Sequence, residues 1–239
     1  MTSQASTGAP PVKDISAAAV WIVCALLFAA LLTLIVVNPA ILRGELGLVE
    51  MGQNLILLIS LALMIDTFFR ADTRELRIWM GLATLGAIYL LGEEVSWGWH
   101  FFHWDVSGSV FENINDQGET NLHNTGGGWL DQKPRAILLF GMILGAVVHP
   151  LVKWARKGRG LFDHPWWLAP TLASLPPVVF SQLAALPKKI EKMQIMVYSL
   201  DLYRWSEAEE FFMYLFFVTY TLSLRQRLIQ RKQQLGASS

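Results

Sequence analysis

The chain is predicted to be all-α: a polytopic membrane helix bundle of about six transmembrane helices, with a long, partly helical outer loop. Three observations point there. Of 239 residues, 53% are hydrophobic and only 16% charged, against about 25% charged in a typical soluble domain. Mean hydropathy is +0.39. The apolar residues fall in long uncharged runs, and about 20 consecutive ones suffice to cross some 30 Å of hydrocarbon.

Taken in order, residues 1–14 are polar and rich in Ser, Thr and Pro, the composition of a disordered terminus. The first apolar run, 15–37, exceeds the 7–15 residues usual for the h-region of a signal peptide and lacks a small-residue cleavage pattern, so it reads as a retained span. Further spans are expected at 48–69, 78–99, 135–152, 166–186 and 207–224. Pro170, Pro176 and Pro177 interrupt the fifth and should kink it. The transmembrane domain is thus 15–224, followed by a basic cytoplasmic tail at 225–239. Two connections stand out. Residues 100–134 mix glycines with Phe111, Ile114, Leu122 and Trp129, and form the outer loop. Residues 187–206 carry Ile190, Met193 and Ile195 among lysines, which suits an interfacial segment.

Orientation follows from Lys and Arg. With both termini cytoplasmic, twelve of these cations face inward and seven outward. Fourteen of the nineteen acids then lie on the outer side or in its leaflet. A bacterial inner membrane is the expected location. Zero formal net charge gives no reason to expect nucleic acid as a partner. Cys24 is the single cysteine, so no internal disulfide forms.

The richest segment is GEEVSWGWHFFHWD, residues 92–105. Ionisable groups in a membrane helix cost about 2.5–3.5 kcal/mol at its centre and tend to mark functional sites. On a continuous helix Glu93, Ser96, His100 and His103 project within an arc of about 80°. Glu119 and His123 stand four apart in ETNLHN, flanked by Asn121 and Asn124. In SEAEEFFMYL, Ser206 and Glu209 match a capping box, while Glu207, Glu210 and Tyr214 share a face. Glu50, Gln53 and Asn54 form a polar first turn of the second span. Asp66 should meet an arginine at the inner interface, and His149 reads as a helix-end cap.

These segments carry a resemblance. GEEVSWGWHFFHWD, INDQGETNLHN and SEAEEFFMYL are similar to a group of uncharacterised bacterial polytopic membrane proteins with a GEExSWG…ETNLHN pattern, over roughly half the chain. The sequence departs from that pattern at Trp99, where a glutamine is expected. The resemblance implies that Glu93, Glu94, Ser96, Trp97, Glu119, Asn121, His123 and Glu210 belong together, and it implies no activity. An analogy also runs to ceramidase-type membrane hydrolases, in which several histidines and a serine surround intramembrane zinc. Their His-x-x-x-His arrangement is missing here.

Three functions remain open. One is a metal-dependent hydrolase acting on a lipid or amphiphile, with Glu93, Glu94 and Ser96 catalytic and His100, Glu119, His123 and Glu210 holding a divalent metal. Glu50, Asn54, Asn121, Glu207 and Tyr214 would support that site. Another is a non-catalytic subunit or assembly factor, which would touch other membrane subunits as well as the lipid bilayer. A third is a proton- or cation-coupled transporter. The metal reading requires Glu93 or Glu94 within reach of both His123 and Glu210; side chains facing separate neighbours favour the subunit.

Overall fold

The computed structural model describes residues 13–42, 47–115, 118–122, 125, 129–161, 169–193 and 205–236. Among these the chain is helical and has no strand; Asn115 and Thr125 form one isolated antiparallel bridge. The expectations for residues 1–12, for most of the interfacial segment (194–204) and for His123 fall outside the described residues.

Helix α1, Ala17–Val37, starts at Ser16, whose hydroxyl accepts the amide of Ala19. An N-cap of this kind satisfies one of the donors a helix start leaves open. Only Cys24 and Leu31 of α1 are buried, so most of its apolar surface faces outward. α2 (Leu48–Arg70) and α3 (Arg74–Glu94) form a hairpin, with Thr73 capping α3 through the amide of Leu76. α6 (Trp129–Ile143) passes through a π-helical stretch, Leu144–Val148, into α7 (His149–Ala155). Helices α8 (Leu175–Lys192) and α9 (Trp205–Gly236) complete the bundle.

α9 is the centre. One face packs Met213, Phe216, Tyr220, Leu224 and Leu228 with Met64, Leu76, Met80 and Met142 of α2, α3 and α6. Another packs Ala208 and Phe212 with Cys24, Leu31, Phe180 and Ala184 of α1 and α8. Burial of such side chains contributes about 1.5–3 kcal/mol each relative to exposure in water.

Length and apolarity suffice for membrane crossing in α1, in α2 and in Pro134–Ala155; the bent pair Arg74–Glu94 plus Ser96–Phe102 would make a fourth. α8 and α9 fall short of that standard. A helix enclosed by other helices need not be apolar all round, and α9 buries Glu210, Thr219, Thr221 and Ser223 among its neighbours.

Several boundaries moved. Among the described residues of the fifth apolar run, a 3-10 turn at Leu172–Ser174 leads into an α-helix that starts at Leu175, and Pro176 and Pro177 open that helix instead of kinking it. Proline in a first turn forfeits no hydrogen bond, because those amides lack intrahelical acceptors. α8 then runs on through Pro187 to Lys192. α9 begins at Trp205, so Ser206 lies inside the first turn and not at the cap. Its far end continues through the expected tail to Gly236, with Leu228 buried. In the 100–134 connection, the described helical pieces are α4 (Trp99–Phe102), α5 (Phe111–Ile114) and the start of α6 from Trp129.

Candidate functional site

The expected continuous helix over 93–103 does not form. α3 ends at Glu94, and the following segment turns away by 63°. Ser96 and Trp97 take the left-handed conformation at φ 47° and 52°, followed by Gly98 at 102°. A non-glycine residue pays roughly 1–2 kcal/mol for this, so neighbouring contacts must hold it. They are present. The Thr120 hydroxyl donates to the carbonyl of Ser96 at 2.6 Å, and the Trp97 indole donates to Glu93 Oε1 at 2.7 Å. The Trp97 ring folds onto Gly92, where a Cβ would stand 2.8 Å from it, so only glycine fits.

The break changes which side chains meet. Ser96 and His100 stay together, with Oγ and Nε2 2.9 Å apart. Ser96 Oγ donates to Glu119 Oε2 at 2.7 Å. Asn121 Nδ2 donates both to Ser96 Oγ (2.7 Å) and to Glu119 Oε2 (2.6 Å). The orientation of that amide is set by Asn115, whose Nδ2 donates to Asn121 Oδ1 at 2.9 Å and to its carbonyl at 2.8 Å. Asn115 Oδ1 in turn accepts the amide of Glu119. Ser96, Glu119, Asn121, Asn115 and His100 are all buried.

Proton bookkeeping follows from the donor inventory. Ser96 has one proton, and its hydroxyl donates it to Glu119 Oε2. That leaves Oγ as the acceptor in the 2.9 Å contact with His100 Nε2, in the imidazole tautomer that matches this arrangement. Ser96 Oγ thus gives one hydrogen bond and receives two, from His100 and Asn121. With Cβ as its fourth neighbour, its coordination is full.

The remaining acids face separate partners. Glu93 accepts the amide of Leu122 at 2.7 Å as well as the Trp97 indole, tying the 118–122 segment to the end of α3. Glu94 Oε1 accepts the Tyr214 hydroxyl at 2.5 Å. Glu210 is paired with Arg135 of α6, close enough that both act electrostatically on Tyr214. Gln53 donates to the carbonyl of Glu207 at 2.7 Å and reaches its carboxylate at 3.4 Å. Glu50 stands in the first turn of α2. Asn54 Oδ1 is buried with no hydrogen-bond partner among the described residues.

Of the expected metal set, His123 lies outside the described residues, and His100, Glu119 and Glu210 do not converge. Among the described residues no three His, Cys, Asp or Glu side chains converge to hold an ion. Glu210 is turned to Arg135, Nε2 of His100 is spent on Ser96, and Glu119 is taken by Ser96 and Asn121. Glu93 and Glu94, expected as general bases, are each held by a hydrogen-bond donor. His103 leaves the arc altogether: it closes α4 at φ 45°, is exposed, and stacks edge-on against Trp99. Outside the site, the expected pairing of Asp66 with arginine holds, whereas His149 lies within the helix and pins the following chain instead of capping a helix end. Asp66 bonds Arg70 and Arg225, and His149 Nδ1 accepts the amide of Leu161 at 3.2 Å.

Asn115, Thr120 and Arg135 are the important residues the sequence reading missed. Asn115 had a signal, since it stands four residues before Glu119 in the same polar run. Arg135 had none, because an arginine at a helix start is ordinary until its partner on a distant helix is known. No protein-family model matches the chain, and no curated protein or solved structure matches it.

Proposed function

We propose that this chain is a non-catalytic subunit or assembly factor of a membrane complex. It would span a bacterial inner membrane six times, with both termini cytoplasmic and the Ser96 network at the outer face. The observation that carries this reading is the saturated, fully buried Ser96 hydroxyl. A nucleophile needs an open approach and a base able to take its proton; here the approach is filled, and the adjacent imidazole is a donor. The carboxylates act as fasteners of loop to helix and helix to helix. Beside them the broken end of α3 presents Phe101 and Phe102, 60% and 76% exposed, with Trp97 and Trp104. Aromatic side chains of this kind are enriched at the centres of protein interfaces.

Transport is the less favoured reading. Ser60, Thr67, Thr84 and Thr219 each donate to a carbonyl of their own helix, on Ile56, Leu63, Met80 and Phe216, and so hold their protons locally.

One observation favours a second reading, a serine hydrolase. Ser96 sits in a strained left-handed turn with an imidazole nitrogen 2.9 Å from its oxygen, and backbone strain clusters at active sites. Two measurements separate the readings. A photo-crosslinking residue at Phe102, activated in intact membranes, should give one discrete protein adduct; lipid adducts alone would overturn the subunit reading. A fluorophosphonate probe should leave Ser96 unlabelled, and labelling abolished by Ser96→Ala would establish the hydrolase.

A further inference from the structure

The opposite end of the bundle carries a groove with no role in the outer network. It lies between the last turns of α2 and the first three turns of α3, and has a volume of about 790 Å³. That is within the range of ligand-binding clefts, about 300–1,000 Å³. Phe69, Ile78, Leu82 and Leu85 line its length, and Gly81 forms part of its floor beside Phe68. At its mouth stand Thr73, Arg74 and Arg77.

We propose that this groove holds one anionic phospholipid, its phosphate between Arg74 and Arg77 and an acyl chain along Gly81 toward Leu85. Three observations support a lipid over any other occupant. The first is length. Arg74 to Leu85 is eleven residues, about 16 Å of helix at 1.5 Å per residue, and one leaflet of hydrocarbon is about 15 Å deep. The groove runs from a charged mouth to the expected midplane and no further. The second is charge. Arg74 and Arg77 lie three apart on one face, both exposed, and neither meets a carboxylate among the described residues. Arg77 gives one N–H to the carbonyl of Ala71 at 3.1 Å, which holds its guanidinium at the mouth. Asp72, the one acid on the rim, lies 3.6 Å from Arg231. The third is apolarity beyond the mouth, where Phe69, Leu82 and Leu85 are 76%, 60% and 64% exposed without a protein cover. Guanidinium and phosphate form charge-assisted, often paired hydrogen bonds. An acyl chain in the groove would cover the apolar wall.

The inference rests on α2 and α3 lying in a bilayer with their connecting turn at the cytoplasmic surface. Native mass spectrometry of the full chain, released from detergent with equal phosphatidylglycerol and phosphatidylcholine, tests it. One retained phosphatidylglycerol is expected, and little phosphatidylcholine. Retention should fall about tenfold in Arg74→Gln/Arg77→Gln, which removes the phosphate contacts. It should also fall in Gly81→Leu, which fills the groove and leaves the charge alone. Equal retention of both lipids, undiminished binding in the arginine double variant, or a polypeptide adduct in place of lipid would overturn the proposal. Flotation with liposomes after an alkaline wash separates the two failures. Chain that does not float brings down the membrane reading, whereas chain that floats without a lipid preference brings down only this site.

Discussion

The two ends of the bundle both hold their charges in hydrogen bonds, but in opposite settings. At the Ser96 end Ser96 and Asn121 are completely buried, and Glu119 and Glu93 are 3% and 4% exposed. At the other end Asp66, Arg70 and Arg225 meet with side chains 33–41% exposed. The partners look equally well matched on a distance list. Their consequences differ because an unpartnered polar atom loses water at one end and keeps it at the other. A buried donor or acceptor left without its partner costs about 1–3 kcal/mol. A surface ion pair contributes about 0–1 kcal/mol in all. The Ser96 end is thus held by a closed network, whereas the charges at the other end stay open to solvent.

The largest effect should come from Asn121→Leu, which keeps volume and removes the amide. It removes one partner each from Asn115 Nδ2, Ser96 Oγ and Glu119 Oε2, and these three hydrogen bonds, one of them to a carboxylate, should cost about 4 kcal/mol together. Unfolding of the detergent-solubilised chain on titration with a denaturing detergent reads this directly, and limited proteolysis should show the 105–122 loop released. A loss below about 1 kcal/mol would mean that the network is not closed. Next comes Arg135→Leu. Removing the guanidinium leaves the Glu210 carboxylate, 8% exposed, without its cation, at a cost of about 3 kcal/mol. Adding Glu210→Leu should restore most of that stability, because a buried pair replaced by apolar groups is often neutral. If the double variant is as unstable as the single, Glu210 has a role beyond its pairing. Tyr214→Phe is milder: one hydroxyl to Glu94 is lost, about 1–1.5 kcal/mol in the same titration. An unchanged midpoint would show that Glu94 has another adequate donor.

This contrast was only half visible in the sequence. The apolar runs that became α1, α2 and α3 were legible because helices long and apolar enough to cross a membrane leave unbroken apolar runs in the sequence. α8 was misplaced because prolines read as interruptions equally well open a helix, and only the chain's path decides which. The residues of the outer site were legible as types: Glu93, Ser96, His100, Glu119 and Asn121 all lie in or beside one network. Their roles were not. A projection assuming one continuous helix put Glu93 beside His100, whereas the turn at Ser96 sends Glu93 to Trp97 and the loop amide. No periodicity argument anticipates a left-handed serine, because that conformation is imposed by contacts 24 and 25 residues away at Thr120 and Asn121. Glu210 shows the same limit. Its partner Arg135 is distant in sequence, and a carboxylate without a visible cation looks like a ligand.

The smallest effect should be at the cationic end, and it sharpens the comparison most because the geometry there is good. Asp66 Oδ2 receives the Nε of Arg70 at 2.7 Å and the Nε of Arg225 at 2.5 Å, joining α2 to α9. By distance alone, Asp66→Asn should be as harmful as Arg135→Leu. Burial argues otherwise. With all three side chains about a third exposed or more, water re-solvates the two arginines once the carboxylate is gone. The expected loss is below about 1 kcal/mol, and it should shrink further between low salt and about 0.5 M salt, where the screening length falls below 10 Å. The Arg135→Leu loss should barely respond to the same salt. Were Asp66→Asn to cost 3 kcal/mol independently of salt, the inner end would be as closed as the outer one, and burial could not be what sets the two apart.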